Sequence, residues 1–186
     1  MHLYRPKANV SVVNAVKPGN VLIAQQLWNN ELLSRSVILI LEHDETGTTG
    51  IILNKSTLVS ESLSMLTNKK LHYGGTYDTH RVGFIHSIKD LSRAVQISDE
   101  VYFSENLAEL EKHPAADPSR IKAFVGFTVW EAGQLEQELA ERKWSVNDFR
   151  MEELQQVNDN ELWGYKLLSS GNMYGLFFDI PDPLLS

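Results

Sequence analysis

The run SVILILE, Ser36 to Glu42, constrains the fold of this chain more than any other stretch. It is rich in β-branched residues and apolar at every position from Val37 to Leu41, with no polar residue where a half-exposed strand would place one. A strand apolar on both faces has to be covered on both faces. His43 to Thr49, HDETGTT, is polar and carries Gly47, a composition that suits a turn or loop. Gly50 to Leu53, GIIL, resumes the apolar run, so the pattern predicts an antiparallel hairpin with a longer connection. Upstream, Val21 to Ala24 (VLIA) is a third candidate strand. Between it and the hairpin, Asn29 or Asn30 is placed to cap a single helical turn through Glu31, Leu32 and Leu33.

The later segments read as material that closes around this hairpin. STLVSESLSMLTN, after Lys55, has Val59, Leu63 and Leu66 at helical spacing, with Ser56 or Ser60 as cap. Lys69 to Gly75 predicts a strand ending at the glycine pair. Thr76 to Arg81 is polar, and Val82 to Ile88 predicts a strand paired with LHYG. Ala94 to Ile97 and Val101 to Phe103 are two β runs around a reversal at Ser98-Asp99-Glu100. NLAELEKH predicts a short helix, capped by Ser104 or Asn106 and stopped by Pro114. Ile121 to Phe127 is a central strand candidate. Gly133 to Lys143 predicts an amphipathic helix, with Ala132, Leu135, Leu139 and Ala140 on one stripe. Ser145 to Met151 predicts another strand. Asn158 to Asn160 would cap a last helix, ELWGYKLLSS, stopped by Gly171.

The 186 residues suit one domain over 19–186, preceded by a tail over 1–18. There is no cysteine, which removes disulfides, thiolate nucleophiles and zinc–cysteine sites. The start, MHLYRPKANV, is mixed and polar rather than a secretory h-region. No apolar run approaches the ~18 residues of a membrane span. The expected location is therefore cytoplasmic, without a membrane partner. A formal charge of −7 argues against a general nucleic-acid binder, which usually carries a basic field.

Several residues could carry chemistry. Glu42, His43 and Asp44 end the first hairpin strand, and a histidine beside carboxylates can be tuned as an acid or base. Neighbouring strand residues point to opposite faces, however, so the plainer reading is that they shape the loop and satisfy backbone groups. Asn54 and Lys55 end the second strand. They read either as an anion site or as a strand end with Asn54 bonding backbone. Gly74 and Gly75 read as a nest for an anion or as a plain turn, and they lack any phosphate-loop context. The six histidines show no metal-ligand spacing, although His72 and His80 bracket the glycine pair. Trp130, just before an amphipathic stretch, reads as a core plug. No metal and no cofactor is expected.

The pieces GNVLIA, SRSVILILEHDETGTTGIILNK, YGG (Tyr73 to Gly75) and GFTVWEAGQLEQELAERKW resemble, in order and spacing, the YqgE/AlgH family of uncharacterised bacterial proteins. They span Gly19 to about Trp144. The chain departs from the family pattern at Gln25 and Thr76, where prolines are common. It departs again at Val129 and Glu131, where a small residue and a glycine are usual. The resemblance implies a single compact α+β domain, with a mainly antiparallel, partly barrel-like β core and about four flanking helices. It also brings the label of transcriptional regulator. With catalytic motifs missing, the reading is a non-enzymatic domain that binds an unknown protein or small molecule. Its binding rim would be the loops carrying Glu42, His43, Asn54, Lys55, Gly74 and Gly75. The alternatives are a hydrolase or transferase built on His43, oriented by Glu42 or Asp44, and a regulator that contacts DNA directly.

Overall fold

The computed structural model describes residues 16–25, 30–55 and 70–170. The expected helix after Lys55, most of the expected tail and the apolar C-terminal segment lie outside the described residues. Nine strands form a sheet ordered β6-β7-β5-β8-β3-β2-β1-β9, with β4 paired to β8 off that path. In chain order the strands are β1 (Asn20–Ala24), β2 (Val37–Asp44), β3 (Gly47–Ile52), β4 (Leu71–Tyr73), β5 (Tyr77–His86), β6 (Val95–Gln96), β7 (Tyr102–Ser104), β8 (Lys122–Glu131) and β9 (Trp144–Asp148). The described helices are α1 (Leu107–Lys112), α2 (Gln134–Ala140), α3 (Met151–Gln156) and α4 (Asp159–Ser169). All strand pairs are antiparallel except β4 with β8. This is the α+β architecture with a curled, half-barrel sheet.

The SVILILE run is dry on both faces. Val37, Leu39 and Leu41 join Val21, Ile23, Ile51 and Leu53 in one core, closed by Met151 and Leu154 of α3 and Leu162 and Leu167 of α4. Ile38 and Ile40 point the other way and pack with Leu22, Ile52, Trp130, Trp144 and Leu135 of α2. Each buried aliphatic side chain contributes on the order of 2 kcal/mol. A third core holds Phe84, Leu110 of α1 and Ala123. The sheet curls until its distant parts touch: a Cβ at Gly19, just before β1, would lie 2.9 Å from the Ser98 Cβ in the β6–β7 reversal.

The hairpin connection is shorter than its composition predicts. β2 runs to Asp44 and β3 starts at Gly47, leaving Glu45 and Thr46 as the turn. The Asp44 carboxylate accepts from the Thr46 amide at 2.7 Å and from its hydroxyl at 2.6 Å, which closes the reversal. The polar composition records an exposed hairpin end rather than a loop. Three further expectations need correction. β4 pairs in parallel with β8, and it is β8, not β4, that runs beside β5. β5 begins inside the polar run, at Tyr77, and bulges against β8 between Tyr77 and Val82. The segment predicted as a strand from Ser145 to Met151 stops at Asp148, and α3 starts at Met151. Met151 and Leu154, three apart, are that helix's buried pair, the spacing that marks it in the sequence. The turn through Glu31 to Leu33 is present, with the Asn30 side chain accepting from the Leu32 amide at 3.0 Å.

Candidate functional site

The curl of the sheet leaves a cleft of about 600 Å³ between the outer end of the β2–β3 hairpin and the β5–β7–β8 sheet. Its lining includes Leu41, Phe103 and Phe127, with Tyr77, Val95 and Val129 beside them. The Phe103 and Phe127 rings meet edge to face at 6.1 Å. The Arg81 guanidinium lies 4.9 Å over the Phe127 ring. It is anchored by Asp78 at 3.2 Å and by a short contact to Glu105. Arg93 and Glu42 also line the cleft, and neither side chain has a hydrogen-bond or ion-pair partner among the described residues. The cleft is thus an apolar trough with one fixed cation and two charged groups free to meet a ligand.

Of the residues picked from the sequence, Glu42 reaches this cleft. His43 meets α2 instead. Its Nδ1 lies 2.7 Å from the Thr48 hydroxyl and its Nε2 3.7 Å from Glu136. Asp44 is committed to the turn, and its hydrogen bonds from Thr46 hold its carboxyl below the usual carboxylate range. Asn54 ties down the start of β2, accepting from the Val37 amide at 2.8 Å and donating to the Arg35 carbonyl at 2.9 Å. Lys55 is buried, and its carbonyl accepts from the Tyr73 amide at 2.7 Å. Gly74 and Gly75 sit where one edge of β8 passes from β3 to β4. Gly74 donates to the Val125 carbonyl at 2.8 Å and accepts from the Ile52 amide at 2.9 Å. No described cavity brings the six residues together: Glu42, Asn54 and Gly75 each line a different one.

Sequence reasoning missed Tyr77, Arg81, Phe103 and Phe127 as a group, because nothing local links β5 to β7 and β8. The available signal was an aromatic residue, Tyr77, in a run otherwise read as polar. Trp130 is a core plug: its indole N–H and that of Trp144 both donate to Glu138, at 2.9 and 2.7 Å.

A second charged group closes a cavity of about 910 Å³ beside the start of α4. Asp159 lies 3.2 Å from His72 Nε2, 3.1 Å from Lys122 and 3.5 Å from Lys70. His72 Nδ1 faces the Ala123 carbonyl at 3.2 Å, so both ring nitrogens are already occupied and neither is free to act on a substrate. Burial opposes ionisation of Asp159, but the His72 hydrogen bond and charge, with Lys122 beside it, outweigh burial and hold its carboxyl well below the usual range. A carboxyl with a depressed folded-state pKa stabilises the protein above the unfolded value and loses that contribution as pH falls. Asp159→Asn is therefore expected to cost about 2 kcal/mol at neutral pH, between exposed and buried ion pairs. The cost should shrink as pH drops below the ordinary Asp value of 3.8. Urea denaturation across that range checks it, and a loss that does not vary with pH would contradict the ionic role.

The cleft and the curled sheet define an α+β half-barrel domain with a concave, partly apolar mouth. The family model DUF179, described as AlgH-like, matches residues 21–175, and the chain belongs to this AlgH-like family. A UPF0301 protein of Chlorobium limicola is 30% identical over 181 residues, covering 93% of this chain and 97% of that one. A UPF0301 protein of Parabacteroides distasonis is 29% identical, covering 90% of each. Among solved structures, AlgH of Pseudomonas aeruginosa matches with a TM-score of 0.69 at 20% identity, over 95% of this chain and 96% of that one. Protein DIP2367 of Corynebacterium diphtheriae matches with a TM-score of 0.70 at 23% identity, over 89% and 92%. Among the described residues no helix is long and apolar enough to cross a membrane.

Proposed function

We propose that the chain is a non-enzymatic, cytoplasmic binding domain that takes an apolar protein segment or small molecule into the cleft between the hairpin end and β5–β7. One observation carries this reading. Of the five exposed large apolar side chains among the described residues, three line this cleft: Tyr77 at 60%, Val95 at 50% and Val129 at 43%. Exposed apolar side chains gathered in one concave place mark interaction sites, whereas scattered ones need no explanation. Of the rim expected from the sequence, Glu42 is the member on this cleft. His43 bonds Thr48 and faces Glu136, with no hydrogen bond or ion pair to Glu42 or Asp44, which supports binding over a hydrolase or transferase whose His43 is oriented by either of those two carboxylates. The formal charge of −7 supports a protein or small-molecule partner over direct contact with DNA.

The test is a fragment titration followed by amide NMR. Apolar fragments should move the signals of Tyr77, Val95, Phe103 and Val129 together. Val129→Glu should weaken those hits at least about tenfold, the equivalent of ~1.4 kcal/mol. Its stability should stay within about 0.5 kcal/mol of the parent, because the position is exposed. Hits confined to other surfaces, or unaffected by Val129→Glu, would end the proposal.

A further inference from the structure

Beyond α4 the sequence runs GNMYGLFFDIPDPLLS, residues 171–186. Leu176, Phe177, Phe178 and Ile180 form one apolar cluster, and Asp179 and Asp182 are the only charged side chains of the segment. A cluster of this kind calls for cover, because contiguous apolar surface left in water is unfavourable.

The course of α4 fixes where that segment starts. The helix runs along β1 from its Ala24 end to its Asn20 end. Trp163 donates its indole N–H to the Ala24 carbonyl at 2.8 Å. Lys166 donates to the carbonyl of Asp148, the residue opposite Asn20, at 2.7 Å. One step past Asn20, the Gly19 amide donates to the Ile40 carbonyl at 3.0 Å, next to Leu41. A Cβ on Gly19 would lie 3.1 Å from the Ile97 carbonyl oxygen. Leu41 and Ile97 both line the apolar cleft. Leu167, near the end of α4, shares one core with Leu41, Ile97, Phe103 and Phe127. The chain therefore leaves α4 at the end of the sheet where the cleft opens. Seven extended residues, at ~3.3 Å each, carry it on the order of 23 Å from Ser170 to Phe177, which is ample reach. The charges fit as well. Arg93 lines the cleft without a side-chain partner among the described residues, and Asp179 and Asp182 bring the opposite sign. Glu42, on the hairpin wall, is the like charge that turns those acids toward Arg93.

We propose that residues 176–180 fold back into the apolar cleft of their own chain, with apolar side chains against Val95 and Val129, so that an outside ligand enters by displacing them. The inference rests on the reading of that cleft as a site for an apolar segment. The test is NOE spectroscopy on the full chain, isotope-labelled at phenylalanine and valine. Cross-peaks from the Phe177 or Phe178 ring to the Val95 or Val129 methyls are expected. In an equal mixture of labelled and unlabelled chains, cross-peaks between copies would mean docking on a second copy and overturn the proposal. Phe177→Ser/Phe178→Ser should tighten the binding of apolar fragments to the cleft at least about threefold, because the competing occupant is gone. Unchanged fragment affinity, or the absence of ring cross-peaks to the cleft, overturns the proposal. Fragments that bind the cleft without those cross-peaks overturn this inference and leave the cleft's function standing. Cross-peaks without any fragment binding support the inference and count against the cleft as a site for outside ligands.

Discussion

Lys166→Met is expected to destabilise the protein by about 3–5 kcal/mol, the range for breaking a buried ion pair from one side. Lys166 is 3% exposed in the last turn of α4. Its ammonium bonds both Glu153 carboxylate oxygens, at 2.9 and 2.8 Å, and the Asp148 carbonyl at 2.7 Å. It therefore joins α4 to α3 and to the end of β9. Methionine keeps most of the apolar stem but leaves the Glu153 carboxylate, 13% exposed, without its counter-charge. The double variant Lys166→Met/Glu153→Leu should recover much of the loss, because removing both partners leaves no buried charge. Urea denaturation of the two variants decides the matter. A single-variant loss below about 1 kcal/mol would put the pair in the class of exposed ion pairs.

Gly75→Ala should have the largest effect of a methyl added at any described glycine in or beside the sheet, at least about 4 kcal/mol, or failure to fold. A Cβ there would lie 2.1 Å from both the carbonyl carbon and the oxygen of Phe127, and 2.5 Å from the Thr128 nitrogen. These are backbone atoms of β8, so no side chain can move aside. Gly126 on β8 approaches from the opposite direction, with its own Cβ position 2.4 Å from the Gly75 carbonyl oxygen. The contact is thus glycine against glycine at the point where β8 exchanges β3 for β4. Gly133→Ala is the control. Gly133 has φ +77° in front of α2, yet nothing lies within 4 Å of its Cβ position. It should cost only the ~1–2 kcal/mol of a left-handed backbone. Equal melting temperatures for the two variants would show that the crossing is not as tight as the geometry makes it.

These two features differ in how far the sequence announces them. Lys166 falls four residues after Leu162 and one before Leu167, on the apolar stripe of its helix, and that position is readable. Its partner Glu153 is not readable, because the packing of α3 against α4 is a tertiary contact that no local spacing records. The Gly74-Gly75 pair is conspicuous and invites an anion-nest reading. What it serves is a backbone crossing, and Gly126, the other half of that crossing, lies 51 residues after Gly75 with no local sign of the relation. Asn54 is similar: its position at a strand end is legible, but its grip on the Val37 amide follows from the hairpin register.

The hairpin core, the strands around Ser98-Asp99-Glu100 and the helices after Asn106, Gly133 and Asn158 are written in local periodicity, because the spacing of apolar residues records which face of an element is dry. The order of strands in the sheet, the parallel placement of β4 and the apolar cleft arise from contacts between segments tens of residues apart. Their partners are chosen by how nine twisted strands curl around a shared core. Local pattern tells each segment that it must be covered, and only the closed sheet settles what covers it.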